Sequence, residues 1–253
     1  MTGILLSGCN GKMGKAVTRS VAESTDCEIV GGVDIFTEAL SGYPVFSTPS
    51  AITNEITEKA DVIIDFSNPA ALSGLLEYAV KNSIPAVIST TGLSDAQINL
   101  IKDASKKIPV FFSANMSLGV NLVCELAKKA ANVLGDAFDI EIIEMHHNQK
   151  IDAPSGTALM IADAIKEELT DDIVYEYDRH SKREKRTKKE IGIHAVRGGT
   201  ITGEHQVIFA GLDEIITISH SARSKELFAT GAISAAKFIC GKPAGLYKMA
   251  DML

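Results

Sequence analysis

A glycine triplet near the start of the chain constrains its fold more than any other feature. Ile4-Leu5-Leu6-Ser7 is a short apolar run, and Gly8-Cys9-Asn10-Gly11-Lys12-Met13-Gly14 follows it as GxxGxxG. A helical pattern continues through Ala16, Val17 and Val21, and Glu28 to Asp34 reads as a second strand ending in an acid. Strand, glycine turn, helix and strand in this order predict a dinucleotide-binding unit. Glycine lets the backbone turn sharply and approach a pyrophosphate, which the helix N-terminus neutralises. Asp34, twenty residues beyond Gly14, is placed to take the ribose hydroxyls. The usual spacing is GxGxxG, so the context carries this reading rather than the triplet alone. A nucleoside-triphosphate P-loop is excluded, because Ala16 follows Gly14-Lys15 and Cys9 replaces the leading glycine.

Strands and helices go on alternating. Asp61 to Phe66, Ala86 to Ser89 and Val110 to Phe112 read as buried strands. A capped helix start follows at Ser67-Asn68-Pro69, and Ser94 to Lys106 is helical. The strands end in small polar residues, Ser89-Thr90-Thr91 and Ser113-Ala114-Asn115-Met116, at the edge where open parallel sheets bind ligands. Residues 1 to about 117 are thus expected to form a Rossmann domain.

Ser117 to Leu134 is predicted as one long amphipathic helix with Leu118, Leu122, Leu126 and Ala130 on its apolar face. From Ile173 the pattern changes to strands at 173–177, 191–196, 206–210 and 214–220, without helices between them. That predicts a second, α+β domain with a mixed or antiparallel sheet, whose broad face suits contact with another subunit. The basic run Arg179 to Lys189 reads as a solvated loop. Glu226 to Cys240 is a final helix, and a short tail begins at Gly245.

The stretch Asp139 to Ala158, DIEIIEMHHNQKIDAPSGTA, holds the densest chemistry. Ile140 and Ile142 alternate with Asp139 and Glu141 as in a half-buried strand. The strand ends in His146, His147, Asn148, Gln149 and Lys150, and a helix starts near Ser155-Gly156-Thr157. Two imidazoles and an ammonium beside a helix N-terminus fit a small anionic substrate that is protonated during reaction. Paired histidines in a loop are by habit solvated or structural; the rest of the chain favours the chemical reading. A zinc site is not expected, since HExxH and CxxC are both absent.

Composition narrows the function classes. A net charge of −7 argues against general nucleic-acid affinity. No apolar run approaches the ~20 residues that span a bilayer, and no signal peptide is evident after Met1. Cys9, Cys27, Cys124 and Cys240 lie scattered without a spacing pattern, as expected of free thiols in a reducing cytoplasm.

The motifs GCNGKMG, DFS at Asp65 to Ser67, STTG at Ser89 to Gly92, SANMSLGVN, EIIEMHHNQKIDAPSGTA and RGGTITGEH occur in this order. Together they resemble the dihydrodipicolinate reductases, the 4-hydroxy-tetrahydrodipicolinate reductases of bacterial diaminopimelate and lysine synthesis, over essentially the whole chain. The resemblance implies NAD(P)H-dependent reduction of a cyclic dicarboxylate. It places cofactor contacts on Gly8, Cys9, Asn10, Gly11, Lys12, Met13, Asp34, Ser89, Thr90, Thr91, Ser113, Ala114, Asn115 and Met116. It makes His146 the proton donor or acceptor and Lys150 the proton donor, with His147, Gly156 and Thr157 binding substrate. It also implies a homotetramer, closure over substrate, and three segments: 1–117 for the dinucleotide, 118–226 for substrate and oligomerisation, and 227–253 as a C-terminal helix returning to the first domain.

Two positions depart from the common pattern. Ile35, rather than arginine, follows Asp34, and Lys225 stands where many relatives carry arginine. An aspartate near a 2′-phosphate costs roughly 1–4 kcal/mol per charge pair at ~4 Å, so NADH is expected to be preferred, with NADPH possible. The competing readings are a non-catalytic dinucleotide sensor of the same fold, and a dehydrogenase for another small amino or keto acid. The sensor has no need of a proton donor beside an anion pocket.

Overall fold

The computed structural model describes residues 1–38, 42–169 and 172–253, and the chain divides into two compact units. The first comprises Met1–Ser117 with Lys225–Leu253, and the second Leu118–Ser224.

The first unit is a parallel sheet built from β1 (Thr2–Ser7), β2 (Cys27–Val33), β3 (Val45–Phe46), β4 (Val62–Asp65), β5 (Ala86–Ile88), β6 (Pro109–Phe112) and β12 (Gly245–Tyr247). Its order is β12-β6-β5-β4-β1-β2-β3, so the chain reverses direction across the sheet between β1 and β4. Strands buried on both faces need apolar runs rather than alternation. Ile4-Leu5-Leu6, Val62-Ile63-Ile64 and Ala86-Val87-Ile88 meet that need and are wholly enclosed.

One face of this sheet packs α2 (Asn54–Lys59), α3 (Leu72–Lys81) and α4 (Asp95–Ser105), joining Ile56, Leu75, Leu76 and Ile101 to Leu5, Ile63 and Ile88. Ser94 and Gln97 form a reciprocal capping box that starts α4. Against the sheet also lie α1 (Lys12–Ala22) and α7 (Glu226–Ile239), which pack on each other. Phe238 of α7 stacks edge-on between Phe111 and Tyr247, at 6.3 and 5.9 Å between ring centres. Gly231 of α7 meets the main chain of Met116 so closely that a Cβ there would overlap the Met116 carbonyl oxygen. Residues 245–247, expected to begin a tail, instead pair with β6 as an edge strand. Three residues are too few to show a period, which is why the pattern hid them.

The second unit is a mixed sheet of β7 (Asp139–His146), β8 (Val174–Glu176), β9 (Glu190–Arg197), β10 (Glu204–Ala210) and β11 (Ile215–Ser221), in the order β11-β10-β7-β9-β8. β10 runs antiparallel to β7 and β11, while β9 runs parallel to β7 and β8. α5 (Leu118–Leu134) and α6 (Gly156–Lys166) cover one face, burying Ile140, Ile142, Ile191, Ile193, Val207 and Phe209.

The core-facing stripe of α5 differs from the expected one. Val120, Val123, Cys124, Ala127 and Ala131 are buried, whereas Leu122 and Leu126 remain 46% and 47% exposed. Small residues bring this helix close to α6 and the sheet, and the leucines fall on its other side. The basic run 179–189 is also more than a solvated loop. Arg179 pairs with Glu190 at 2.7 Å, Arg186 with Asp139 at 2.6 Å and Lys188 with Asp139 at 2.9 Å, and Lys182 binds Glu176. Period-2 alternation puts the strand acids where these long side chains reach them.

Candidate active site

The first unit gathers the expected cofactor residues at the carboxyl ends of its parallel strands. Past β1 the chain turns at Gly8 with φ +75°, and a Cβ there would stand 2.6 Å from the Phe66 carbonyl oxygen. A Cβ at Gly14 would overlap the carbonyl oxygen of Gly8. Gly11 precedes α1 without a side-chain cap, so the first N–H groups of that helix face outward with its positive dipole end. The Asn10 backbone N–H donates to Asp34 at 3.0 Å, and the Phe36 N–H to the other Asp34 oxygen at 3.1 Å. The acid is thereby tied to the glycine turn.

Lys12 is exposed and Met13 half-buried. Cys9 is buried against Gly32, where burial and the Asp34 charge push its thiol up to about 11. Only the main chain at Cys9 is placed to serve a ligand.

At the next strand ends, the fully buried Asp65 accepts from Thr90 Oγ1 and from Ser67 Oγ, each at 2.6 Å. Ser89 is buried and its hydroxyl has no hydrogen-bond partner, while Thr91 is exposed. Ser113 Oγ donates to the Asn115 carbonyl at 2.8 Å, and the Asn115 side chain accepts from Ser117 N–H at 3.0 Å. Ala114 is exposed, whereas Met116 is buried under α7. A cavity of about 860 Å³ opens over this edge, lined among others by Gly8, Asn10, Gly11, Asp34, Phe36 and Ser67. The residues after β5 and β6 lie outside its lining. A cradle that side chains would fill, an uncapped helix start and an orphaned buried hydroxyl fit a nicotinamide dinucleotide.

In the second unit, the strand phase that buries Ile140 and Ile142 also points Glu144 and His146 toward α6. Glu144 is fully buried and takes four hydrogen bonds. Arg197 donates from Nη1 at 2.8 Å and Nη2 at 2.7 Å, His146 from Nδ1 at 2.6 Å, and Ser155 from its backbone N–H at 3.0 Å. Burial alone would raise the Glu144 carboxyl, but these donors, Arg197 foremost, outweigh it and hold the group below its ordinary range. Glu144 is therefore ionised and accepts only.

Ser155 caps α6 through the Ala158 N–H, and its hydroxyl lies 3.1 Å from His205 Nε2. His205 stacks edge-on to His146, with ring centres 5.4 Å apart. Burial, and then the charge at His146, lower His205 to about 4, so this imidazole is neutral near pH 7. Lys150 Nζ sits 2.8 Å from both oxygens of Asp152. His147 is half-buried, Gly156 exposed and Thr157 half-buried in the first turn of α6.

His146, Glu144, Arg197, Ser155 and His205 thus form one cluster, with Lys150 and Asp152 joined to it by Arg197, which also donates to the Asp152 carbonyl at 2.6 Å. The sequence reading passed over Glu144 and His205. Their signal was present: each occupies the buried phase of its strand, Glu144 after Ile140 and Ile142, His205 before Val207 and Phe209. An acid or imidazole in a core phase asks for partners.

Comparison with known proteins gives the family of the chain. Residues 2–116 match the family model "Dihydrodipicolinate reductase, N-terminus", and residues 119–253 match "Dihydrodipicolinate reductase, C-terminus". The 4-hydroxy-tetrahydrodipicolinate reductase of Caldanaerobacter subterraneus subsp. tengcongensis is 54% identical over 253 residues, covering 100% of this chain and 98% of its own length. That of Clostridium tetani is 49% identical, covering 100% and 97%. Among solved structures, a dipicolinate-bound dihydrodipicolinate reductase from Paenisporosarcina sp. TG-14 superposes with a TM-score of 0.83 at 27% identity, covering 100% of both chains. GenD2 of gentamicin A biosynthesis, solved with NAD, shares the fold at a TM-score of 0.63 and 11% identity, covering 96% of this chain and 87% of that one. With both of its halves matched and the relatives aligned from end to end, this chain belongs to the dihydrodipicolinate reductase family.

Proposed function

We propose that the chain catalyses reduction of 4-hydroxy-tetrahydrodipicolinate to tetrahydrodipicolinate in diaminopimelate and lysine biosynthesis. The hydroxyl leaves as water, so the balance is one hydride and one proton consumed per turnover. The observation that carries this reading is the His146 imidazole, held by Glu144 next to the start of α6. An acid–base group there faces the helix end that favours carboxylates.

Gly8, Cys9, Asn10, Gly11, Lys12 and Met13 hold the pyrophosphate through backbone N–H groups and the α1 dipole. Asp34 takes the ribose hydroxyls, and 89–91 with 113–116 hold the nicotinamide half. The reduced nicotinamide supplies the hydride when bound. His146 and Lys150 deliver the proton, while His147, Gly156 and Thr157 orient a substrate carboxylate. Asp34 followed by Ile35 favours NADH over NADPH. The uncovered face of the second sheet, with Val196 and Ile215 exposed, suits assembly as a homotetramer. The unpaired Cys9, Cys27, Cys124 and Cys240 suit the cytoplasm.

The test follows NADH and NADPH oxidation by absorbance, with substrate made in situ by a dihydrodipicolinate synthase from pyruvate and aspartate semialdehyde. Oxidation that depends on the synthase supports the reductase. Tight cofactor binding without oxidation would instead identify a dinucleotide sensor.

A further inference from the structure

Glu144 takes four hydrogen bonds, as many as Arg197 makes in the same cluster. A bare structural ion pair needs only Arg197. Here one oxygen, Oε2, is shared between Arg197 Nη1 at 2.8 Å and His146 Nδ1 at 2.6 Å. Because an ionised carboxylate only accepts, the Nδ1 of His146 carries a proton, and its Nε2 is the atom left for chemistry.

The surroundings of Nε2 agree. A Cβ at Gly203 would come within 3.1 Å of it, so glycine keeps that side of the ring open. His205 closes another side, and its own Nε2 is engaged by Ser155.

Resting on the reductase reading above, we propose that Glu144 and Arg197 act as a positioning pair for His146. Glu144 fixes the tautomer and orientation of the ring, and Arg197 balances the charge of Glu144 so that the imidazole can both hold and release a proton. A lone buried carboxylate 2.6 Å from the ring would favour imidazolium strongly; a lone guanidinium in its place would oppose it. The groups facing His146 are Glu144 from β7, Arg197 from β9, His205 from β10 and Ser155 from the cap of α6. Lys150, paired with Asp152, and His220, opposite His205 on β11, stand beyond them.

The experiment measures kcat/KM against pH with substrate generated in situ for the wild type, Glu144→Gln, Arg197→Gln and Arg197→Lys. Turnover in Glu144→Gln should fall about 10–100-fold, the loss that follows removal of the carboxylate behind a metal-bound histidine. Its alkaline limb, where His146 loses the proton it must deliver, should move to lower pH. Arg197→Gln should move the same limb to higher pH, and Arg197→Lys, which keeps the charge, should restore the wild-type position. Opposite displacements are not produced by general loss of packing. Should one variant fail to fold, the direction in the other decides alone. A limb that is absent, unmoved or moved the same way in both variants overturns the positioning pair. A wild type without turnover would instead defeat the reductase reading itself.

Discussion

Lys150 Nζ rests 2.8 Å from both carboxylate oxygens of Asp152, two residues along the same loop. The lysine side chain is largely enclosed, at 20% exposure, whereas the aspartate is 61% exposed. The ammonium is thus parked on a solvent-facing partner whose hold is weakened by screening. Replacing Lys150 by alanine should lower kcat by about 10²–10⁴, the range for a lost acid–base group. Asp152→Asn should change kcat at most about fivefold, since exposed pairs contribute roughly 0–1 kcal/mol. Coupled NADH oxidation measures both, and wild-type turnover in Lys150→Ala would remove Lys150 from the proton path.

Thr157, in the opening turn of α6, is assigned to a substrate carboxylate present before and after the chemical step. Such uniform binding affects KM rather than kcat. Thr157→Val should raise substrate KM about tenfold with kcat within about twofold, taking one hydrogen bond to a charge at roughly 1.5 kcal/mol. A fall in kcat at constant KM would show that the contact matters mainly in the transition state.

Asp34 holds two backbone N–H groups just past the end of β2, the place proposed for the ribose of the cofactor. Asp34→Asn keeps an acceptor and removes the charge. The ratio of kcat/KM for NADPH over NADH should rise about 10–10³-fold, from the roughly 1–4 kcal/mol repulsion expected at ~4 Å. Equal or better efficiency of the wild type with NADPH would refute the cofactor preference.

His205 links stability to pH. Its folded value, about 4, lies below the 6.5 of a free imidazole, because burial disfavours the cation. The unfolded chain therefore binds the extra proton first as acid is added. Stability is complete above pH ~6.5 and declines toward pH ~4, by about 3 kcal/mol from this group. His205→Asn should flatten that part of the curve of denaturation midpoint against pH. An unchanged difference between pH 7 and pH 4.5 would mean that His205 is protonated in the fold.

Much of this architecture is legible in the sequence because the period of each segment matches one environment. Continuous apolar runs such as Val62-Ile63-Ile64 lie inside a parallel sheet, and alternation from Asp139 marks a strand with helices on one side only. Ser94 with Gln97, and Ser155 before Gly156, announce helix starts by chemistry local to a few residues. β3, α2 and β12 are too short to carry a period and owe their form to neighbours far along the chain. The face of α5 is misread because leucine outranks alanine in apolarity, while close helix packing selects alanine and cysteine at 124, 127 and 131.

The site divides the same way. His146, Lys150 and the Gly156-Thr157 helix start are consecutive enough to be seen as one group. The bond from Arg197 to Glu144 spans 53 residues, and the contact of Ser155 with His205 spans 50, so no spacing rule joins them. Only the parity of Glu144 and His205 along their strands betrays that both are buried.

The first unit is closed by the last residues of the chain: α7 packs on β4, β5 and β6, and β12 pairs with β6. Synthesis therefore finishes the second unit while the first still lacks a helix and an edge strand. Until the ribosome has released residues 226–247, β6 presents an unpaired edge and the sheet an uncovered apolar surface, the features that recruit chaperones and promote association between nascent chains. A message truncated within α7 would yield a complete second unit fused to an unfinished first one, a product for proteolysis rather than a partial enzyme.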